Sequence, residues 1–514
     1  MDSHLNLRRQ LTRNAAFNLV GQVWVALLLL MLAPVLVHGL GDQLFGVVVL
    51  AWAFLGYFTY FDLGLSQATV KFMAEHLARN DRVAAARTLW MALLVNLGVG
   101  LLCGLALAAA SPILSSRVFH VPPDSRHDAT VAFMMVSAAL PFVLVQGMLR
   151  GVPSALQRFD LINLVNITAS TVQWGAAVLL VHHGVGVRGV IASTVAVRVA
   201  STLVYGMLVL RLLPEVVTPG RWSFSGVRRF VAFSGWLAVS QYLTALLLYA
   251  DRLLIASLRS VAAVTYYAVP SEAIARLWII PGSLSPTLFP AFTDQSVAGR
   301  RSVVSEMYVR SVRYVLLLVG PIAIVLGLYA GDLLSLWMGR AFADQSTLVL
   351  QILVVGMLAN CLAFVPDVAV KGLGRPDLVA KLQLVEVPIY LAVAWLMIRE
   401  HGIYGAAAVW TARMISDAAG LFFLGNRAVG LSMTHFLSDR LFLSGVGCLL
   451  VLAVLLRSLR GLGSAAPLQL CVVAAAIVAY AALIWSSSLD PSERGVITRM
   501  SRSIVRAARA GVSS

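Results

Sequence analysis

The chain repeats one pattern along its length. Apolar runs of roughly twenty residues, enough for a helix to cross a bilayer, alternate with short polar or glycine-containing breaks. Fourteen such runs fall at about 15–37, 43–62, 88–110, 131–150, 161–181, 189–210, 233–255, 264–289, 314–334, 346–368, 378–398, 403–424, 440–456 and 467–488. This predicts an all-α polytopic membrane protein with about 14 transmembrane helices. Gly39-Leu40-Gly41-Asp42 separates the first two runs with one formal charge, and Asp62-Leu63-Gly64 ends the second. A polar, helix-like stretch with Lys71, Arg79 and Arg82 follows. Residues 1–14 carry Leu5, Leu7 and Leu11 beside Arg8, Arg9 and Arg13, which predicts a short basic helix on the inner leaflet. The longest outer segment runs from Ser111 to Thr130, too short for a catalytic domain.

The two halves echo each other. Leu156-Gln157-Arg158-Phe159-Asp160-Leu161 aligns with Leu373-Gly374-Arg375-Pro376-Asp377-Leu378 at a shift of 217; the same shift pairs Phe72 with Phe289 and Ala74 with Ala291, and Phe17 and Phe233 differ by 216. Six spans per copy is an even number, so both copies keep one orientation and their symmetry axis runs along the membrane normal. The expected architecture is two pseudo-symmetric six-helix lobes around a central cleft, plus two C-terminal helices. Its parts are an N-lobe (1–211), a cytoplasmic linker (212–232), a C-lobe (233–427), spans 13 and 14 (428–488) and a basic cytoplasmic tail (489–514). The tail opens with Asp490-Pro491-Ser492-Glu493, an N-cap, a first-turn proline and an N3 acid. Ile497, Met500, Ile504 and Ala508 then share one face against four arginines, which predicts an anchor on an anionic leaflet.

Composition excludes a soluble globule: 60% of the 514 residues are hydrophobic and 12% charged, the latter roughly half the usual share. The first apolar run is too long for a secretory h-region. The four cysteines stand singly in apolar runs, so they predict neither a disulfide framework nor a zinc cluster. His182-His183 lacks a third ligand nearby and reads as a solvated outer turn, so no metal site is expected. A net charge of +16 invites a nucleic-acid reading, but its distribution gives topology instead. Inner loops, tails and adjoining span ends hold 27 Lys and Arg, outer loops 8, and four arginines lie within spans. That asymmetry puts both termini in the cytoplasm.

Several of these motifs together resemble a known family. They are the Gly39–Gly41 turn before Phe45-Gly46, the aromatic run into Asp62-Leu63-Gly64-Leu65, the Leu156–Asp160 connection, Asp251-Arg252-Leu253-Leu254 followed by Tyr267-Ala268, and the Gly374-Arg375 turn. From about 10 to 425 the chain resembles the polysaccharide-export branch of the MATE-like MOP flippase superfamily, which includes the Wzx-type O-antigen flippases; the last two spans carry no such feature. The resemblance implies an alternating-access carrier of the bacterial inner membrane without a cofactor. Its partners would be inner-membrane lipids, a lipid-linked oligosaccharide, and polysaccharide polymerase and assembly proteins. It also implies an arginine-lined cavity for the pyrophosphate of the lipid carrier.

A charge in the hydrocarbon costs several kcal/mol, roughly, unless it meets a partner or water, so embedded ionisable residues are the site candidates. Arg198 lies mid-span with no acid within four residues, and a planar guanidinium suits a phosphate. Arg252, Arg276, Arg150 and Arg158 extend a cationic path. Glu272/Arg276 and Arg413/Asp417 have the spacing of salt bridges within a helix; Asp251 sits beside Arg252, and Asp367 and Glu386 show no obvious local partner. These five acids are candidates for ion coupling or pairing. The leading expectation is a flippase for undecaprenyl-pyrophosphate-linked oligosaccharide (an O-antigen, capsule or exopolysaccharide repeat unit), not an enzyme. The alternatives are a MATE-type cation-coupled multidrug exporter, which needs an acid embedded in the first lobe, and a membrane glycan polymerase or ligase, which needs a larger outer loop.

Overall fold

The computed structural model describes the backbone of residues 2–60, 65–217, 224–432, 438–460, 466–495 and 498, and side chains there except in 2–19, 67, 224–240, 286, 466–468 and 470. The described residues are helical almost throughout and form no strand. In chain order the helices are α1 (Asp2–Thr59), α2 (Leu65–Ala78), α3 (Arg82–Ile113), α4 (Pro123–Ala155), α5 (Phe159–His182), α6 (Gly186–Leu212), α7 (Phe224–Leu258), α8 (Val261–Ala275) and α9 (Ile279–Val297). They continue as α10 (Arg301–Leu328), α11 (Ala330–Met338), α12 (Arg340–Gly372), α13 (Pro376–Val429), α14 (Arg440–Leu459) and α15 (Ala466–Ser487). Nine helices among the described residues are long and apolar enough to cross a membrane.

Two of these are each a pair of spans. A straight helix with the 58 residues of α1 or the 54 of α13 would be over 80 Å long at about 1.5 Å per residue, far beyond a bilayer. Both break at a glycine, Gly41 in α1 (φ 76°, ψ 163°) and Gly402 in α13 (φ 62°, ψ −136°). The Gly41 conformation is essentially closed to residues with a Cβ, and a Cβ there would meet no neighbour within 4 Å. Backbone strain alone therefore sets the expected effect of Gly41→Ala, a loss of about 1–3 kcal/mol, read as a lowered melting temperature of the purified protein.

One expectation is corrected here. Residues 1–14 do not form a helix of their own: α1 runs from Asp2 into the first span, because no glycine or proline interrupts it before Gly21. The outer segment Ser111–Thr130 is short, as expected, and mostly helical. α3 reaches Ile113, a π-helical turn covers Leu114–Val118, and α4 starts at Pro123. Asp62-Leu63-Gly64 and most of the basic tail lie outside the described residues.

The repeat appears in backbone geometry. Asn80, His120 and Gln157 have positive φ without being glycine, and Gly299, Gly339 and Gly374 have positive φ at 219, 219 and 217 residues further on; Gly184 and Gly402 differ by 218. The turn at Gln157 has Arg158 N donating to Pro153 O at 2.8 Å and Leu156 N to Val152 O at 3.1 Å. Its counterpart has Arg375 N on Val370 O at 3.0 Å and Leu373 N on Ala369 O at 2.9 Å. Even the ion pairs recur, Arg158–Asp160 at 2.9 Å and Arg375–Asp377 at 3.4 Å. Only glycine adopts this region without cost, so the second copy uses the unstrained residue where the first tolerates a side chain.

Packing separates the chain into two units, one drawn from 1–279, 334–349 and 380–413, the other from 280–333, 350–379 and 414–514. In the first, Leu65, Met73, Leu89, Met148, Tyr205 and Val209 are buried in one cluster. Glycines let its helices approach closely: a Cβ on Gly104 would lie 2.7 Å from Ser137 O and one on Gly46 2.1 Å from Val261 O, as in small-residue interfaces between membrane helices. In the second unit α14 and α15 pack on α10. Leu449, Leu452, Leu456 and Tyr480 are buried with Leu316, Gly320 makes room for Leu449, and Tyr480 Oη donates to Leu317 O at 3.1 Å. The four cysteines are free. Leu102, Leu105, Leu210, Leu450 and Val454 point outward, as expected of a surface solvated by lipid.

Candidate functional site

The embedded charges of the first unit form a connected array. α7 supplies Tyr249 and Arg252 on one face, three residues apart, and Asp251 on another. Arg252 is only 6% exposed. Its Nη1 donates to Leu248 O at 2.9 Å and its Nη2 to Glu272 Oε1 at 2.8 Å. Glu272, on α8, also takes Arg276 Nη2 at 3.1 Å on its other oxygen, so one carboxylate serves two guanidiniums. The expected Glu272/Arg276 pair is present, and Arg252 is its third member.

Asp251 turns away from this trio. It is buried and accepts Tyr267 Oη at 2.6 Å. Tyr390, on α13, lies within electrostatic reach of Asp251, Arg252 and Arg413, and the Arg413 guanidinium stands over its ring at 5.4 Å. Arg413 Nε in turn is 3.9 Å from Glu386 Oε2, across the Gly402 break. This corrects the reading of Glu386 as an acid without a partner. Asp367, in the second unit, is corrected too: Lys371 Nζ binds it at 2.7 Å, one helical turn on. Asp417 is buried and belongs to the second unit.

Arg198 differs from the other embedded arginines in that no acid is paired with it among the described residues; its Nε, like that of Arg276 and Arg413, is buried without a hydrogen-bond partner there. Tyr249, between α6 and Arg252, is within electrostatic reach of Arg198, Arg252, Glu272 and Tyr60, with Arg252 over its ring at 5.7 Å. The tyrosine tip rests on Gly56 of α1, where a Cβ would come 2.3 Å from its Oη. Gly56→Ala is therefore expected to push Tyr249 off its seat and weaken any function of the array, while the fold persists. Transport by this variant, measured at wild-type protein level, checks the point.

Among the described residues Arg198, Arg252 and Arg276 against Asp251 and Glu272 leave one positive charge over, and geometry assigns it to Arg198. The other two members of the expected cationic path lie elsewhere. Arg150 is exposed at the end of α4, within electrostatic reach of Tyr205. Arg158 grips Asp160 with Nε at 3.0 Å and Nη2 at 2.9 Å, and that hydrogen bond holds the Asp160 carboxyl below the usual carboxylate range. Tyr249 and Tyr390 are members of the array that sequence reasoning did not single out, and Tyr267 was noted only as part of a motif. The spacing of Tyr249 from Arg252 was a usable signal; Tyr267 and Tyr390 reach the site only through tertiary packing. Among the described residues no group of His, Cys, Asp and Glu could hold a metal.

The described helices make a polytopic membrane fold of the MATE and MurJ kind. It superposes on the lipid II flippase MurJ in an inward closed conformation with a TM-score of 0.69, at 10% identity over 91% of this chain and 98% of that one. An inward-facing multidrug resistance MATE transporter of the MOP superfamily gives 0.67, at 13% identity over 81% and 94%. These likenesses concern the fold alone. Residues 11–296 match the family described as polysaccharide biosynthesis protein, and the chain belongs to that family. A putative O-antigen transporter of Shigella flexneri is 26% identical over 420 residues, 81% of this chain and 97% of its own length.

Proposed function

We propose that the protein is a flippase that carries an undecaprenyl-pyrophosphate-linked oligosaccharide (an O-antigen, capsule or exopolysaccharide repeat unit) from the inner to the outer leaflet by alternating access. The observation that carries this reading is Arg198, a guanidinium with a buried, unpartnered Nε among the described residues, beside arginines that already have acids. An uncompensated buried cation is costly, and the phosphate oxygens of a passing substrate would offset that cost with strong, charge-assisted hydrogen bonds. The likeness to a putative O-antigen transporter and to a lipid II flippase supports the same substrate class. Arg252 and Arg276 shape the site through Glu272, whereas Arg150 and Arg158 stand apart from it.

In this reading the N-lobe (1–211) and C-lobe (233–427) are the two moving halves, joined by the 212–232 linker. Both termini face the cytoplasm of a bacterial inner membrane. Asp251, Glu272, Asp367, Glu386 and Asp417 are coupling or pairing acids. Polysaccharide polymerase and assembly proteins would act on the released product. The MATE-type exporter is the second reading, favoured by the MATE likeness. Against it, the first six spans carry no acid away from a helix end or corner.

The test is lipid mass spectrometry on a strain lacking the gene, with an impermeant oxidant reporting leaflet exposure. One undecaprenyl-linked glycan should build up, protected on the inner leaflet. Absence of any lipid-linked sugar, with reduced efflux of cationic dyes, would replace this reading with the exporter.

A further inference from the structure

Pro34 interrupts the hydrogen-bond ladder of α1. A proline has no N–H, so the carbonyl four residues earlier loses its helical donor. That carbonyl belongs to Leu30, inside the apolar run 15–37, where bulk water does not replace the donor and an unsatisfied group is costly. Trp337 of α11 supplies the missing hydrogen: its indole Nε1 donates to Leu30 O at 2.5 Å, across 307 residues of chain. Tryptophan suits the task, because its single donor is carried on a large apolar body at home near a membrane boundary.

A second contact joins the same parts of the chain. Asp42, just beyond the Gly41 break, accepts the Tyr266 hydroxyl on its carboxylate, and its carbonyl accepts Thr265 Oγ1 at 2.7 Å. Tyr266 is braced from behind. Its ring lies 5.2 Å from that of Phe342, centroid to centroid, and its carbonyl accepts Ser346 Oγ at 2.9 Å. Gly46 lets α1 touch the first turn of α8, since a Cβ there would come 2.8 Å from the Val261 side chain. Residues 334–349 pack with the unit that holds all of 1–211, although their flanks, 280–333 and 350–379, belong to the other. In the proposed lobes, Leu30, Asp42 and Gly46 fall in the first half, and Val261, Tyr266 and Trp337 in the second. These bonds therefore run from one moving half to the other, near the outer ends of their spans.

We infer, on the alternating-access reading above, that the hydrogen bond from Trp337 to the proline-freed Leu30 carbonyl is the latch of the outer face. It holds the halves together in this structure and breaks when that face opens. Water entering the opened face takes over the carbonyl, so the wild-type latch gives way at little cost. Without the indole N–H, closure would leave the carbonyl with no donor, and the closed state alone would suffer.

The reporter is Val261→Cys in the full-length protein. Val261 is 2% exposed and lies against Gly46, so an impermeant maleimide reaches a thiol there only through an opened outer face. Labelling is timed on spheroplasts, with the parent chain and its four free cysteines as background. Trp337→Phe keeps a ring and removes the donor; it should speed labelling about tenfold, the worth of one hydrogen bond. Adding Pro34→Ala gives Leu30 O a helical donor again and should return the rate most of the way to that of the reporter alone. A rate unchanged by Trp337→Phe overturns the latch, even where the lipid-linked glycan builds up as proposed for the deletion strain. A raised rate that Pro34→Ala leaves untouched overturns it too, because lost packing rather than a lost donor would then be responsible. If both variants behave as expected while the deletion strain accumulates no lipid-linked glycan, the latch stands and the cargo reading falls.

Discussion

Glu493→Ala should cost the protein about 3–5 kcal/mol, the usual penalty for removing one partner of a buried ion pair. Glu493 and Arg313 have side chains 5% and 4% exposed, so the loss would leave a guanidinium in the interior without its carboxylate. The same carboxylate also accepts Tyr314 Oη at 2.6 Å and, on its other oxygen, Asp490 N at 2.9 Å. The last bond closes the capping box that starts the tail helix. One residue therefore ties the fourth turn of α10 to the start of the C-terminal segment. The predicted loss is measured as a fall in melting temperature and in membrane protein level. The double variant Arg313→Leu/Glu493→Leu should recover a large part of it, because a buried pair replaced whole by apolar residues is often near neutral. A melting temperature unchanged in Glu493→Ala would show that Arg313 reaches water.

Arg198→Ala should act in the opposite manner, abolishing function while sparing the fold. No described residue depends on its Nε, so removal relieves a desolvated charge rather than orphaning an acid. Transport is expected to fall roughly 10- to 100-fold, from a charge-assisted hydrogen bond worth about 1.5–3 kcal/mol. Arg198→Lys should rescue only part, since an ammonium cannot grip two phosphate oxygens in one plane. The readout is the steady-state level of inner-leaflet lipid-linked glycan in a complemented strain. Wild-type glycan levels with alanine at this position would remove the main support for the flippase reading. Arg252→Ala makes the contrast: it leaves Glu272 with Arg276 alone, and both stability and transport should suffer.

Much of this was legible before any coordinates. The apolar runs gave the helices, and Gly41, named as a turn residue from sequence, is a true break. The offset of 217 proved to be a repeat of backbone conformation, visible because a left-handed residue leaves a trace in which side chains are tolerated. Arg198 stood out by its isolation, which spacing alone reveals. What spacing cannot reveal is pairing between helices. Asp251 meets Tyr267 sixteen residues away across the α7–α8 turn, and Glu386 meets Arg413 only because α13 breaks at Gly402. Arg313 and Glu493 are 180 apart, and nothing local to either announces the other. Asp367 is a different case: its lysine partner lies at the ordinary i, i+4 distance, hidden only by its place beside a turn.

The helices that meet at Gly41 do so with almost no chain to spare, and the link between α3 and α4 is reduced to Phe119–Pro122. In the proposed orientation these connections lie on the outer face, and neither is long enough to reach out to a passing enzyme. Handover of a translocated glycan would have to happen at the membrane surface, with the receiving protein coming to the lipid rather than the carrier extending an arm. Epitopes or reporter sequences inserted on that side have correspondingly few places to go, and the four residues before α4 offer one of them.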